Sequence, residues 1–467
     1  MKLSRPQNEI IVSSQKINLF LAGMGSGKTY LAGVLSYTFV QKFPNVKGFI
    51  GTNTYDQLNT STLYRVKAVW ESFGVIEGVH YVCGKKPPST FNTDNHFFDS
   101  YNNIISWCNG AVIFQGSLEN AKAHEGKEFG WAILDETKDT DEDDVKEVIL
   151  MRLREQGMFV NGKPWNPLFI LTSPAKVRWI NNWFKLDLYE KEIKSLVYSK
   201  DKFFVKRFDN KKVVISSTHH NLANLPQNYI EDKKFDLSDE QFNMMIYADP
   251  FMKTGGEFYS SFDRTIHVGK VMPVMGLPIH VTLDQNVVPY YTCLIFQVEL
   301  IGDRYNVRQL AEICAVNPYN KTERVAGMLE DMYGEYMREG GFYYYGDATG
   351  KNRDTRGETD YEIWETRLAR YIDGNTNRVL RVNPSVKKRR DFINKIFEGK
   401  LPIDVIFDEK CTETIADFEY IKELPDGSKH KEIVRDEKKG VSYQKVGHTS
   451  DAFDYFMVSC FKSFFKD

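Results

Sequence analysis

Cysteine is sparse in this chain and never clustered. Six residues, at 83, 108, 293, 314, 411 and 460, form no C-x-x-C pair and no Cys/His zinc spacing. That excludes a disulfide-framed scaffold and a thiolate metal site, and reads as reduced, intracellular, mostly buried thiols. No apolar run approaches the ~20 residues of a membrane span, and residues 1–9 lack the apolar core of a signal peptide. There are no internal repeats and no low-complexity segment. Neither sign of charge dominates: 61 basic against 63 acidic residues leave a formal net charge of -2, so any nucleic-acid contact must come from local clusters. What is present is the make-up of a globular protein, 42% hydrophobic and 27% charged over 467 residues, long enough for two or three domains.

The strongest signal is Ala22-Gly23-Met24-Gly25-Ser26-Gly27-Lys28-Thr29, set between an apolar run (17–21) and a helix-like run (30–37). Strand, glycine loop and helix in that order make a phosphate-binding P-loop. Backbone N–H groups from Gly23, Gly25, Ser26 and Gly27 close round phosphate oxygens, Lys28 reaches the β/γ-phosphates and the Thr29 hydroxyl ligates Mg²⁺. Ala22 stands where the strict pattern has its first glycine. A second element, Gly130-Trp131-Ala132-Ile133-Leu134-Asp135-Glu136, is an apolar strand ending in two acids. Asp135 suits the Mg²⁺ of a nucleotide site, and Glu136 is then placed to orient or deprotonate water. The acidic run 139–144 reads as a solvated helix start.

Residues 1–200 alternate strands (17–22, 48–52, 111–115, 132–135, 168–172) with helices (including 55–73 and 144–154). This predicts an α/β domain on a mainly parallel sheet, with ligand beyond the carboxyl ends of the strands. Thr172 and Ser173, ending the 168–172 strand, are placed to sense a γ-phosphate, or else form an ordinary exit to Pro174. Arg152 or Arg154 could act as an arginine finger, although such arginines more often make surface pairs. Residues 201–275 look irregular, a subdomain and linker, with the main boundary between 265 and 278.

A second strand-helix domain, 276–467, carries three acids far apart in sequence. Asp284 ends His280-Val-Thr-Leu-Asp284, Asp347 ends the aromatic strand Phe342-Tyr-Tyr-Tyr-Gly-Asp347, and Asp451 opens the last helix. A charge ending a buried strand is costly unless paired or metal-bound. Three converging carboxylates could hold two Mg²⁺ or Mn²⁺ ions about 3.5–4 Å apart for phosphodiester cleavage; singly, such acids are usually structural caps. Lys387-Lys388-Arg389-Arg390 reads as either a DNA-phosphate contact or a solvated helix face. Tyr343 to Tyr345 read as buried strand aromatics.

Taken in order, these features resemble the large subunit of tailed-phage terminases, a DNA-packaging ATPase-nuclease. The resemblance runs from Gln7 to Phe456. AGMGSGKT and AILDE resemble that family's two nucleotide motifs, and LTSPA (171–175) its coupling motif. The Leu225-Pro226-x-x-Tyr229 ending of 217–229 also matches. Met24 stands where the family often has arginine, which makes Arg152 or Arg154, in cis or in trans, the better finger candidate. The resemblance implies an adenine contact from Gln7 and an RNase H/integrase-like carboxyl-terminal nuclease. Its metal positions would fall on Asp284, Asp347 and Asp451, with His448 near metal and Asp454 as a possible substitute. The run 285–289 after Asp284 fits the family's pattern only in part. Also implied are ATP with Mg²⁺ (Mn²⁺ in the nuclease), double-stranded viral DNA, a portal protein, a small terminase subunit and a pentameric ring. No membrane partner is expected, and the place of action is the cytoplasm of an infected host. Two rivals remain at this stage: a helicase-nuclease of repair, and an ATP-switched assembly protein with an inactive nuclease fold.

Overall fold

The computed structural model describes every residue except Met1, Asn95, 175–178, 253–254, 286–287, 352–357, 432, 437–440, 445 and 466–467. Ala175 of the LTSPA segment, and Asn286 and Val287 after Asp284, lie outside the described residues. The chain divides into two compact units, residues 1–254 and 255–467. The second begins upstream of residue 276, the start expected from sequence. The reason is packing: Phe258, Tyr259 and Phe262 are fully buried in the second unit's core.

The first unit is built on a nine-stranded sheet: β1 (Ile17–Ala22), β2 (Lys47–Thr52), β3 (Tyr81–Cys83), β4 (Ile104–Trp107), β5 (Val112–Ser117), β6 (Trp131–Asp135), β7 (Leu168–Thr172), β8 (Phe204–Phe208) and β9 (Lys211–Ser216). Their order is β8-β9-β1-β7-β6-β2-β5-β4-β3. From β9 to β5 neighbours run parallel, while β8, β4 and β3 add antiparallel edges. Alternation along each strand feeds two cores, one per face. Phe20, Ile133 and Phe169 enter one core, and Leu19, Leu134 and Ile170 the other. Parallel strands covered on both faces need apolar residues at nearly every position, which is why these segments read so plainly as strands.

Residues 204–216 correct the irregular reading of 201–275. They form a hairpin whose second strand, β9, pairs directly with β1. The lysines masked it: Lys212 is fully buried, its ammonium held by the Glu9 carboxylate at 2.7 Å. The helix expected over 144–154 is instead a π-helical turn (Asp144–Ile149) and a 3₁₀ turn (Leu150–Arg152). Helices α1 (Arg5–Ile11), α2 (Lys28–Lys42) and α3 (Leu63–Ser72, preceded by a π-helical turn over Leu58–Thr62) surround the nucleotide motifs.

The second unit holds a six-stranded mixed sheet: β10 (Val268–Gly269), β11 (Ile279–Asp284), β12 (Tyr291–Ile301), β13 (Arg304–Ala315), β14 (Phe342–Gly346) and β15 (Ile403–Asp408), in the order β10-β15-β13-β12-β11-β14. β11 to β13 form an antiparallel meander, and β14 lies parallel to β11. Helices α4 (Val386–Phe397), α5 (Thr412–Tyr420) and α6 (His448–Cys460) complete the parts that matter to the acids. Among the described residues no helix is long and apolar enough to cross a membrane.

Candidate nucleotide and acid sites

β1, β7 and β6 are neighbours, and each ends in a segment singled out from sequence. Their carboxyl ends therefore bring together the glycine loop, Thr172-Ser173 and Asp135-Glu136. The loop needs its glycines for different reasons. Gly25 and Gly27 take left-handed backbone angles, φ 72° and 79°, which only glycine adopts cheaply. At Gly23 the demand is room, since a Cβ would lie 2.4 Å from Thr218 Oγ1 and 2.6 Å from the Ile246 carbonyl.

Side chains from elsewhere hold the loop's carbonyls. Thr218 Oγ1 donates to Met24 O (2.7 Å), Asn221 Nδ2 to Gly25 O (2.7 Å), and Gln7 Nε2 to Ser26 O (3.3 Å) and Gly27 O (3.0 Å). The Met24 N–H donates to Met245 O at 2.7 Å. Gln7 is thus beside the loop as expected, but its amide props the loop and closes the cap of α1, accepting from Ser4 N–H at 2.8 Å. Thr218 and Asn221 lie in the 217–229 stretch, which was noticed in the sequence without a role.

Lys28 Nζ donates to Ala22 O and Gly23 O (both 3.2 Å) and sits 3.3 Å from Glu136 Oε1. Thr29 Oγ1 and Thr62 Oγ1 each donate to Asp135 Oδ2 at 2.9 Å. Asp135 is wholly buried, and its Oδ1 has no hydrogen-bond partner among the described residues. Burial, then the Glu136 charge, push its carboxyl up to about 6 against the two hydroxyls and Lys28. An orphaned, desolvated carboxylate oxygen beside a threonine hydroxyl is costly by itself and suits a hard divalent cation. The residues present therefore fit Mg²⁺. Glu136 has φ 53°, left-handed for a side chain that disfavours it, a strain of about 1–3 kcal/mol that tends to be kept at working sites. Its Oε2 accepts from Ser173 Oγ at 3.4 Å, linking it to the end of β7.

Arg152 and Arg154 are not brought to this site. The Arg152 carbonyl accepts from Phe129 N–H (2.8 Å), just ahead of β6, and Arg154 pairs with Glu128 at 3.0 Å. At ~3.3 Å per residue along the strand, that is the opposite end of β6, roughly 20 Å from Asp135. An arginine finger in cis from either residue is ruled out by this placement.

In the second unit Leu283 stands opposite Gly346 across the parallel β11–β14 pair, so Asp284 and Asp347 leave adjoining strand ends. Asp451, on the first turn of α6, faces the same cluster. The charges of Asp451, Asp347 and Asp284 all act on the buried Tyr455 hydroxyl. Asp347 accepts from Asn383 Nδ2 (2.7 Å) and Tyr455 OH (3.1 Å). The three acids do share a neighbourhood, yet among the described residues no group of three or more His, Cys, Asp or Glu could hold a metal ion.

Two sets of side-chain contacts bear on the acids. Both oxygens of Asp451 are taken by ammonium groups, Oδ1 by Lys429 at 2.8 Å and Oδ2 by Lys431 at 2.5 Å. Burial alone would raise its carboxyl, but Lys429, Lys431 and Arg389 hold it well below the usual carboxylate range. His448, expected near metal, is engaged on both ring nitrogens. Nε2 faces the Gln444 carbonyl (2.8 Å) and Nδ1 faces Asp284 Oδ2 (3.1 Å), both acceptors, an arrangement that the imidazolium satisfies best. Burial opposes that charge, but Asp284 prevails and the imidazole is raised from its ordinary value. Asp454 is fully buried behind Asp451, bound by Tyr259 OH (2.8 Å) and Lys429 (3.0 Å). Burial raises its carboxyl overall.

The basic run on α4 splits its duties. Arg389 turns inward to Asp451 and Asp454 at 3.7 and 3.8 Å, while Arg390 pairs with Asp391 and Glu423. Lys429, Lys431 and Arg389 were not singled out from sequence as partners of the acids.

Comparison with known proteins gives the following. No curated protein matches the sequence. Among solved structures, the HK97 bacteriophage large terminase is similar at 12% identity over 98% of this chain and 95% of that one, with a TM-score of 0.41. A large terminase from a thermophilic bacteriophage is similar at 13% identity over 98% and 99%, with a TM-score of 0.39. The large terminase ATPase domain of Thermus phage P74-26 is similar at 15% identity over 53% and 94%, with a TM-score of 0.35. The profile described as terminase large subunit, T4likevirus-type, N-terminal, matches residues 19–266. That match spans more than half of the sequence, including the glycine loop, Asp135-Glu136 and the 217–229 stretch, and the chain therefore belongs to the terminase large-subunit family.

Proposed function

We propose that the first unit hydrolyses ATP and uses the energy to drive double-stranded viral DNA into a procapsid, and that the second cuts that DNA. The observation that carries the ATP reading is the buried, half-satisfied Asp135 carboxylate between Thr29 and the strained Glu136. Thr29 Oγ1 and Asp135 would hold Mg²⁺, which when bound screens the phosphate charge. Lys28 shifts from the Ala22 and Gly23 carbonyls to phosphate oxygens, and so releases Glu136 to orient water and take its proton. Ser173 senses that change through Glu136 and passes it to the segment after β7. The cation that neutralises developing charge, other than Lys28, comes from another subunit of a ring. Partners follow from the family: portal protein, small terminase subunit and viral DNA, in the cytoplasm of the infected host. The test is Lys28→Ala, which abolishes ATP turnover by the full chain; retained turnover overturns the reading.

In the second unit Asp284 and Asp347 suit one divalent cation. The two-ion set expected from sequence does not fit the side chains as they stand, because Asp451 is already neutralised. That same pairing favours one rival, an ATP-switched assembly protein whose nuclease fold is inactive. Mn²⁺-dependent nicking of plasmid DNA by the full chain decides between them.

A further inference from the structure

We infer that Thr62 is a positioning residue for the Asp135 carboxylate, holding one of its oxygens so that the other is presented to a divalent cation; this rests on the ATP reading above. The Asp135 side chain can spin about its last bond. Two hydroxyls converging on Oδ2, from Thr29 and Thr62 at 2.9 Å each, fix that rotation. Oδ1 is left buried with no partner among the described residues. Thr29 has a second duty in the proposed chemistry, whereas among the described residues the Thr62 hydroxyl makes this hydrogen bond alone. Thr62 is itself almost wholly buried, so its hydroxyl is not there for solvent.

The two hydroxyls arrive on separate helices locked to one another. Thr29 lies in the first turn of α2, and Thr62 ends the π-helical turn that leads into α3. The helices touch at Gly33, where a Cβ would meet Val69 Cβ at 2.7 Å. Trp70 Nε1 on α3 donates to Gly33 O (3.1 Å) and Ser36 Oγ (3.2 Å) on α2. π-helical turns are rare and recur at functional sites, and this one ends on the residue that touches the acid. Groups that orient a metal ligand without touching the metal typically set affinity by about 10–100-fold.

The test uses the full chain and the pair Thr62→Val, which removes the hydroxyl at constant shape, and Thr62→Ser, which keeps it. Mn²⁺ binding in the presence of ADP, read by electron paramagnetic resonance, weakens about tenfold or more in Thr62→Val and recovers in Thr62→Ser. The Mg²⁺ concentration for half-maximal ATP turnover rises in step, while ADP binding in EDTA, which needs no cation, stays near wild type. If Thr62→Val does not fold, as judged by its melting curve, Thr62→Ala is read in the same assays. Wild-type Mn²⁺ binding in the hydroxyl-free variant, or no recovery with serine, overturns the inference. Lys28→Ala separates the two failures. If it keeps turnover, the ATP reading falls; if it is dead while Thr62→Val binds Mn²⁺ normally, only the role of Thr62 falls.

Discussion

The two acid centres differ in what neutralises them. Asp135 meets hydroxyls on one oxygen and nothing among the described residues on the other, so its burial is uncompensated and its affinity for protons rises. Asp451 is buried to a similar degree but carries lysines on both oxygens, so its affinity for protons falls. The first centre stores an unmet demand for a cation; the second has met that demand from its own chain. Burial of a carboxylate therefore does not mark a metal site by itself: the free lone pair does.

Asp347→Asn is the sharpest way to set the centres against each other. Cutting of plasmid DNA by the full chain falls below detection, while ATP turnover stays within about twofold, because the two centres belong to separate compact units with no shared partner among the described residues. Undiminished cleavage removes Asp347 from any active centre.

Next in size are the two lysines. Lys429 is buried and shared between Asp451 and Asp454, so Lys429→Met leaves buried charge unpaired and costs about 3–5 kcal/mol in a urea melt of the second unit's transition. Lys431 lies nearer the surface, at 19% exposure, and Asp451 keeps Lys429 when it is removed, so Lys431→Met costs less than Lys429→Met in the same melt. The same Lys431→Met frees Asp451 Oδ2 and lowers the Mn²⁺ concentration needed for cutting. Cutting that is lost instead assigns the lysine to the substrate phosphate.

The contrast also explains what the sequence made legible. The first centre is written locally: a six-residue apolar strand, a glycine loop and a helix start within one short stretch, and Asp135 at the end of another strand. Residues 17–22 and 168–172 were read to the residue as β1 and β7, since parallel strands buried on both faces leave little ambiguity. The second centre depends on register between β11 and β14 and on the placement of Lys429 and Lys431, in and just after the strand Lys429–His430 that pairs with Lys422–Glu423, neither of which leaves a local trace. Thr62 had a faint one, a polar run (59–62) interrupting a helical pattern. Hairpin β8–β9 was missed because Lys211 and Lys212 broke its apolar pattern, although Lys212 is buried through its pairing with Glu9.

Proton competition gives a smaller effect of opposite sign at the two centres. Asp135 titrates near 6, so protons displace Mg²⁺ below that pH, and apparent Mg²⁺ affinity drops by up to about tenfold per pH unit. Isothermal titration with Mn²⁺ and ADP across that range checks it. Asp451, held below the ordinary carboxylate range, keeps its charge throughout the same range, so its lysine pairs add no slope there.

A second pH effect tests the role of His448. Its folded pKa is raised above the ordinary 6.5 by Asp284, in spite of burial. A histidine raised in this way lends stability that is fully present below the unfolded value and is lost as pH rises through the folded value. The increment is about 1.5 kcal/mol, that of one hydrogen bond to a charged group. Melting curves of the full chain at a series of pH values from about 6 to 9 show that loss in wild type, and His448→Gln flattens it. Parallel curves for the two proteins mean a neutral ring, and they return His448 to the ligand set the sequence first suggested.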